Sequence, residues 1–136
     1  MAPVNKSYKQ IKNPRDLYDR LCKLWSARTC PERMREGWTA ENPSWGQCSI
    51  SSFLAQDIFG GEVYGILRPQ GNYHCYNLID GVAFDLTSEQ FGEEKLDYSE
   101  NPLQSRNEHF SRDEKRLRYE LLKARLEAQL RSEDAI

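Results

Sequence analysis

The sequence predicts an α+β fold in which a central helix packs on a small antiparallel sheet and further helices flank both. Three observations support this prediction. An apolar pattern of helical spacing follows Gln47 and stops at Phe59-Gly60-Gly61. Three runs typical of strands come next, and Asp80-Gly81 between the last two is a strong hairpin signal. A long charged helix is then predicted over residues 111–131, so that residues 1–136 form a single domain.

The composition is that of a folded, charge-rich globular protein. Hydrophobic residues make up 38% and charged residues 29% of the 136 residues, enough for one core. The 19 basic and 21 acidic residues are spread along the chain, so no basic surface for nucleic acid is indicated. Residues 1–10 lack the apolar core of a secretory signal, and no run is long enough to span a bilayer. We therefore expect a cytoplasmic protein that binds neither nucleic acid nor membrane.

The four cysteines do not form a Cys-x-x-Cys pair, which argues against zinc-ribbon and thioredoxin sites. Free thiols are the default in a reducing compartment, and a disulfide between Cys22 and Cys30 is the alternative. We expect no bound metal and no cofactor.

The segment before the central helix begins with a predicted mobile lead-in over residues 1–12. A helix is predicted over 13–27, with Asn13 as its N-cap and proline at its first position. Residues 31–45 are predicted to be a loop that contains Trp38 and Trp45. These two indoles either cover the core or wall a cleft beside Cys48.

The segment after the central helix is predicted to form three strands and a helical turn. The strands cover residues 62–68, 73–79 and 82–86, with a turn at 69–72. Thr87-Ser88-Glu89-Gln90 has the pattern of a capping box, which opens a short helical turn through Phe91. Residues 92–110 are predicted to be irregular, and His109 within them is predicted to be a solvated surface residue.

The C-terminal helix carries an apolar stripe whose members are Leu117, Leu121, Ala124 and Ala128. We expect the stripe to pack on its own domain. The alternative is that it contacts a second copy of the chain or another protein. Residues 132–136 are predicted to fray.

The Asp80-Gly81 turn sets the register of the hairpin. As a two-residue turn it pairs Ile79 with Val82. Continuing that register pairs Tyr76 with Asp85 and His74 with Thr87. Because side chains alternate between the two faces, the side chains of His74, Tyr76 and Asp85 share one face. His74 and Asp85 are then diagonal neighbours within reach of a hydrogen bond.

Cys48 at the start of the central helix is the predicted nucleophile. The free N–H groups and positive dipole end of a helix lower the pKa of a thiol there. His74 is predicted to take the thiol proton, and Asp85 to orient the imidazole. We expect Cys48 to face the His74–Asp85 side of the sheet, away from Cys75, which is predicted to be a core residue on the opposite face.

The residues around these three sites resemble a known family. Gly46-Gln47-Cys48, His74-Cys75-Tyr76-Asn77 and Asp85-Leu86-Thr87 resemble motifs of the transglutaminase-like branch of the papain-like cysteine enzymes. More narrowly, Trp-Gly-Gln-Cys, Phe-Gly-Gly and Asp-Leu-Thr-x-x-Gln-Phe resemble bacterial YunG-like proteins over about residues 38–91. The resemblance implies a papain-like core with Cys48 as nucleophile, His74 as base and Asp85 as orienter.

The resemblance also implies an oxyanion hole that includes the backbone N–H of Cys48. We predict four further residues to contribute to the oxyanion hole or to substrate binding: Gln47, Trp45, Trp38 and Tyr76.

The function predicted on these grounds is that of a cysteine-dependent hydrolase or acyltransferase. It would cleave a peptide or small amide through a thioester. The alternative is a catalytically silent papain-like fold that serves as a protein-binding module. A third, weaker hypothesis makes Cys48, His74 and Asp85 ligands of a metal ion.

Overall fold

The computed structural model describes residues 1–134 and shows an α+β fold with a three-stranded antiparallel sheet. In that part of the chain no helix has both the length and the apolar character needed to cross a membrane. The helices and strands are α1 (Pro14–Leu21), α2 (Cys48–Phe59), β1 (Glu62–Leu67), β2 (Tyr73–Ile79), β3 (Val82–Phe84), α3 (Arg106–Phe110) and α4 (Asp113–Asp134).

The sheet has the order β1-β2-β3, so β2 is its central strand. The predicted register is confirmed, because Ile79 pairs with Val82 and the ladder continues to Asn77 and Phe84. β3 ends at Phe84, two residues earlier than predicted, because Asp85 leaves the ladder. Its side-chain Oδ1 instead accepts the backbone N–H of Thr87 at 3.1 Å. The predicted ladder pairs of Tyr76 with Asp85 and of His74 with Thr87 therefore do not form.

Helix α2 lies at the centre of the molecule. It begins at Cys48 and ends before Gly60, whose φ of 82° is the left-handed conformation of a helix stop. One face packs on β2, where the side-chain amide of Asn77 donates to the carbonyl of Ser52 at 2.8 Å. α4 packs on it as well, and residues such as Leu54 and Ile58 are fully buried. The sheet and α4 together hold the N-terminus of α2, and so Cys48, in one place.

Helix α4 buries a different face from the one predicted. Its buried apolar residues are Tyr119, Leu122, Leu126 and Leu130. The predicted stripe lies outward, since Leu117 is 57% exposed and Ala124 and Ala128 are exposed. Both series have helical spacing, and the buried one offers more apolar area to the core. The contact with a partner through the outer stripe stays a prediction.

The N-terminal segment is packed on the core, although we predicted a mobile lead-in. Tyr8 and Ile11 are buried, and the backbone N–H groups of Val4 and Asn5 donate to the carbonyl of Ile58. These apolar side chains cover the C-terminal half of α2, and their burial stabilises the segment.

Helix α1 has the predicted cap but is shorter than predicted. The side chain of Asn13 accepts the N–H of Asp16, and the helix ends at Leu21 rather than near residue 27. The helix does not extend to residue 27 because Trp25 turns toward the core, where its indole N–H donates to Ser51 Oγ at 2.9 Å. Ser26 then caps a 3-10 helix at Ala27–Thr29.

Four segments predicted as irregular, capped or frayed differ from expectation. The loop 31–45 contains a 3-10 helix at Glu32–Gly37, and the segment 92–110 contains α3, capped by Ser105. Thr87 does not cap the 3-10 helix Ser88–Phe91, because its hydroxyl lies 3.5 Å from Asp85 Oδ1. Residues 132–134 are helical, and the rest of the predicted frayed tail lies outside the described residues.

Candidate active site

Cys48 is the first residue of α2, at the positive end of the helix dipole. Gly46, with a φ of 74°, makes the sharp turn that leads into the helix. Within residues 1–134 the preceding Gln47 forms no side-chain cap, so the N–H groups of the first turn are left for another acceptor. These N–H groups are suited to stabilise an oxyanion that forms next to the Cys48 sulfur.

His74 and Asp85 form the predicted hydrogen bond even though the ladder ends before Asp85. His74 Nε2 lies 2.6 Å from Asp85 Oδ2, with the two side chains 1% and 5% exposed. The same Oδ2 accepts the hydroxyl of Tyr98 at 2.8 Å, and Oδ1 accepts the N–H of Thr87. The Tyr98 hydroxyl and the Thr87 N–H thus hold the carboxylate in its orientation toward the imidazole.

The second nitrogen of His74 is free to act on the thiol. Nδ1 is buried and has no hydrogen-bond partner among the described residues. Burial lowers the pKa of His74, but Asp85 and the neighbouring Cys48 sulfur outweigh it and raise the pKa to about 9. A pKa of about 9 favours the imidazolium form at neutral pH, with Nε2 held by Asp85 and Nδ1 as the ring nitrogen that has no partner.

Cys75 is a fully buried core residue, as predicted, but it does not lie away from Cys48. Cys48 packs against the cluster that contains Cys75. The expectation that Cys48 faces away from Cys75 is therefore wrong. The reason is that α2 covers the face of β2 that carries Cys75, with Cys48 at the strand's beginning. There the Cys48 sulfur lies 4.0 Å from the carbonyl oxygen of Tyr73.

The two sulfurs and the imidazole together favour a thiolate at Cys48. The Cys75 thiol and then His74 lower the pKa of Cys48 well below its usual value, against the opposing effect of burial. The pKa of Cys75 is raised, by its interaction with Cys48 and by burial, so this residue keeps its proton. Cys75 thus serves as a neutral neighbour that stabilises charge on Cys48.

A cavity of about 1230 Å³ opens in front of this group. Cys48, His74 and Trp45 line it, whereas Asp85 lies outside it behind the imidazole. The ring of Phe91 packs edge-on against the His74 ring, with centroids 4.7 Å apart. A substrate in the cavity can therefore reach the half-buried Cys48, whereas the His74 and Asp85 side chains, 1% and 5% exposed, are almost wholly shielded from water.

Of the four residues predicted for oxyanion or substrate binding, the structure brings Trp45 to the cavity. Its indole N–H donates to the carbonyl of Met34 at 3.0 Å, so it offers an apolar wall. Gln47 is fully buried, and its side-chain amide donates to the carbonyl of Ser26 and the sulfur of Cys30. The Gln47 side chain is therefore not available to a substrate.

Trp38 and Tyr76 also lie away from the cavity lining. The Trp38 indole N–H donates to the carbonyl of Pro43 at 2.9 Å, within its own loop. The Tyr76 hydroxyl donates to the carbonyl of Tyr98 at 3.0 Å. Tyr76 thereby supports the segment whose tyrosine binds Asp85, and both predictions of a direct contact with substrate are not supported by this geometry.

Two residues that position the site were not predicted to be site residues from the sequence. Gln90 accepts the N–H of Gly46 at 3.3 Å and donates to the carbonyl of Thr87, which ties the turn before Cys48 to the turn after Asp85. Its place in the Asp-Leu-Thr-x-x-Gln-Phe motif was the available signal. Tyr98 lies in an irregular segment with no local pattern that points to Asp85.

His109 is a half-buried residue of the cavity wall, not the solvated surface residue that we predicted. Its ring packs against Phe53, with centroids 5.1 Å apart, and Nε2 lies 2.9 Å from Gln104 Oε1. The short helix α3 carries it inward, and the polar sequence around it did not reveal that helix.

The hypothesis of a metal site is not supported by the geometry. In the described residues no group of three or more His, Cys, Asp or Glu side chains is arranged to hold a metal ion. His74 Nε2 is already engaged by the Asp85 carboxylate at 2.6 Å.

Comparison with known proteins identifies one family. The model of the YunG protein family matches residues 13–131. A Bacillus subtilis (strain 168) protein named "Uncharacterized protein YunG" is 44% identical over 73 residues, which are 54% of this chain and 61% of that relative. The match thus spans less than two thirds of the relative's length. No solved structure matches the chain.

Proposed function

The chain belongs to the YunG protein family, and from its site geometry we propose that it is a cysteine-dependent hydrolase or acyltransferase acting on an amide or peptide bond. One observation carries the proposal. A buried imidazole binds a carboxylate through Nε2, and its Nδ1 has no partner among the described residues. The same ring interacts with a thiol at a helix N-terminus, and each of the two groups shifts the pKa of the other toward the charged pair. This is the arrangement of nucleophile, base and orienting group that acyl transfer requires.

The first half of the proposed reaction forms a thioester. The Cys48 thiolate attacks the carbonyl carbon of the substrate, and the carbonyl π electrons move to oxygen. The N–H groups of the first turn of α2 stabilise this oxyanion. The His74 imidazolium then donates a proton to the amide nitrogen, and the carbon–nitrogen bond breaks to release the amine.

The second half releases the acyl group. The neutral His74 takes a proton from water, or from a second amine, as that nucleophile attacks the thioester. The carbon–sulfur bond breaks and the Cys48 thiolate is restored beside the imidazolium. Asp85 stabilises the imidazolium in both halves of the reaction. Water as the second nucleophile makes the protein a hydrolase, and an amine makes it an acyltransferase.

We also propose a papain-like, transglutaminase-like core as the finer description of the fold. The support is the order Cys48, His74, Asp85 along the chain, with the cysteine at the start of a helix that packs on an antiparallel sheet. Within this proposal the substrate is a peptide or small amide that enters the cavity lined by Trp45.

The proposal is tested by trapping the acyl-enzyme. The protein is incubated with p-nitrophenyl acetate as an activated acyl donor, and the acetylated peptide is located by mass spectrometry. We expect a burst of nitrophenolate and acetylation at Cys48, which disappears in Cys48→Ser and persists in the control Cys22→Ser. Cys22 is a half-buried thiol whose pKa burial raises, so it reports ordinary thiol reactivity.

The contrary outcome is equally clear. If an acyl donor or a chloroacetamide probe labels Cys22 or Cys30 at neutral pH but leaves Cys48 unmodified, the catalytic proposal is wrong. The alternative, a silent fold that binds a protein partner, would then be preferred.

A further inference from the structure

The cavity beside Cys48 carries an excess of positive charge. Five basic and two acidic side chains line it. Arg68 is neutralised by Glu94, which lies outside the lining, and Arg118 by Glu114. The remaining charged lining residues are Arg33, Arg112, Lys115 and Glu108. In the described part of the chain, none of the three basic ones forms an ion pair with a carboxylate.

Lys115 is held at a defined point of the cavity wall. Its ammonium lies 2.9 Å from His109 Nδ1, and His109 Nε2 lies 2.9 Å from the side-chain oxygen of Gln104. Burial and then the charge of Lys115 lower the pKa of His109 to about 4, so the ring is neutral. The neutral His109 imidazole accepts a hydrogen bond from the Lys115 ammonium and so positions it. Because the imidazole carries no negative charge, the charge of Lys115 stays uncompensated.

The uncompensated ammonium lies within electrostatic reach of the nucleophile. Burial lowers the pKa of half-buried Lys115, whereas the sulfurs of Cys75 and Cys48 raise it. A cation held partly out of water without a counter-ion is costly, and a bound anion removes that cost. Arg112 precedes Lys115 by three residues and also lines the cavity, and its charge acts on both His109 and Lys115. It therefore adds a second charge for the same anion.

We propose that the substrate of this site carries a carboxylate, which Lys115 and Arg112 bind while the scissile carbonyl lies at Cys48. The inference rests on the proposed function and adds its substrate class, an anionic amide or peptide rather than a neutral or cationic one. Lys115 and Arg112 are then specificity-determining residues. The ring of Trp45 on the same cavity provides the apolar contact for the uncharged part of the substrate.

The test compares iodoacetate with iodoacetamide, two alkylating reagents that differ in one negative charge. Alkylation of Cys48 and Cys22 is followed in the same sample by mass spectrometry. We expect the iodoacetate-to-iodoacetamide rate ratio at Cys48 to exceed that at Cys22 by roughly tenfold at low salt. The excess should fall in about 0.5 M NaCl, which screens the charges.

The variants distinguish the effect of Lys115 and Arg112 on the rate ratio from the effect of the His74 imidazolium, which also attracts an anion. Lys115→Gln and Arg112→Gln should each lower the ratio at Cys48 by roughly threefold or more, and Lys115→Arg should restore it. Arg116→Gln removes the same charge from the same helix outside the cavity lining and should leave the ratio unchanged. A ratio that Lys115→Gln and Arg112→Gln leave unaltered would overturn the inference.

The two proposals fail differently in this experiment. Fast alkylation of Cys48 by iodoacetamide with no preference for iodoacetate would refute the anionic substrate and leave the catalytic proposal standing. Slow alkylation of Cys48 by iodoacetamide would contradict the catalytic proposal. The iodoacetate-to-iodoacetamide rate ratio would still report the positive charge of Lys115 and Arg112.

Protection experiments locate the carboxylate within the substrate. Succinamate places its carboxylate on the acyl side of an amide, and N-acetylglycinate places it on the amine side. We expect one of them to slow alkylation of Cys48 by iodoacetamide more than its neutral counterpart, succinamide or N-acetylglycinamide. Equal protection by all four compounds would argue against a carboxylate site.

Discussion

Replacing Asp85 with asparagine tests the electrostatic core of the site. The substitution keeps the size of the side chain and an oxygen that can accept from Tyr98, but it removes the negative charge next to His74. Without that charge the buried imidazolium loses its main partner. We expect the pKa of His74 to fall and, with it, the share of Cys48 present as thiolate to decrease.

The size of the effect follows from the pKa of His74. Its rise from 6.5 to about 9 favours the imidazolium by about 3 kcal/mol. Asp85 and the Cys48 sulfur both raise this pKa, so loss of the carboxylate alone should cost on the order of 1–2 kcal/mol, which is roughly tenfold in the thiolate–imidazolium pair. His74 is 1% exposed, so little of this energy is lost to screening by solvent.

The assay is the rate of Cys48 alkylation by iodoacetamide between about pH 5 and pH 10. In Asp85→Asn the rate near pH 6 should fall by roughly tenfold, and the two proteins should converge above about pH 9, where any thiol ionises. Asp80→Asn is the matched control, because it removes a charge from the exposed turn of the same hairpin. If Asp85→Asn follows the wild-type profile within about twofold, the carboxylate does not support the ion pair.

The same variant makes a prediction for stability. Because the pKa of His74 is raised above its unfolded value of 6.5, its contribution to the free energy of unfolding is fully present below that pH. It is lost as the pH rises through about 9. Urea denaturation should show Asp85→Asn less stable than wild type near neutrality, with the gap narrowing in alkali. A gap that widens with pH would contradict this sign.

Three further predictions concern neighbouring residues. Cys75→Ala should raise the pKa of Cys48, seen as an alkylation profile shifted to higher pH, and Cys75→Ser should restore it in part because the hydroxyl is again a donor. An unshifted profile in Cys75→Ala would show that this thiol does not stabilise the thiolate. Gln90→Ala should cost about 1–2 kcal/mol in urea denaturation, since two hydrogen bonds between the turns around the site are lost. A much smaller loss of the free energy of unfolding, on the order of a few tenths of a kcal/mol, would indicate that water replaces both hydrogen bonds. His109 stays neutral in the fold, with its pKa lowered from 6.5 to about 4, so stability should be full above pH 6.5 and fall as the pH drops through this interval. Between pH 6.5 and about 4 the melting temperature of His109→Gln should decrease less than that of wild type. An equal decrease would argue against a lowered pKa of His109.

Much of the site was predictable because its determinants are local. The hairpin register follows from Asp80-Gly81 and brings Asp85 near His74. The hydrogen bond itself forms outside the ladder, with the carboxylate held by Thr87 and Tyr98. The start of α2 at Cys48 follows from the apolar spacing after Gln47. The end of β3 was less predictable, because the side chain of Asp85 competes with the ladder for backbone N–H groups.

The outer shell of the site was not predictable, because its contacts join segments that are far apart in the chain. Tyr98 reaches Asp85 from an irregular segment, and His109 reaches the cavity on a five-residue helix. Lys115 faces the cavity because α4 buries Tyr119 and the leucines that follow it, rather than the stripe that contains Leu117. The larger apolar area of the buried face was a signal in the sequence, but spacing alone did not separate the two faces.

The sequence by itself therefore determined the α+β class, the central helix with Cys48 at its first position, and the pairing of His74 with Asp85. These depend on residues close together in the chain, where periodicity, a cap or a tight turn is sufficient. The tertiary structure decided that Cys48 lies against Cys75 as well as near His74, and that Lys115 stands uncompensated in the cavity. The physical reason is that α2 packs on one face of β2 and α4 packs on α2. This packing determines which side chains from distant parts of the chain lie close enough to interact through their charges.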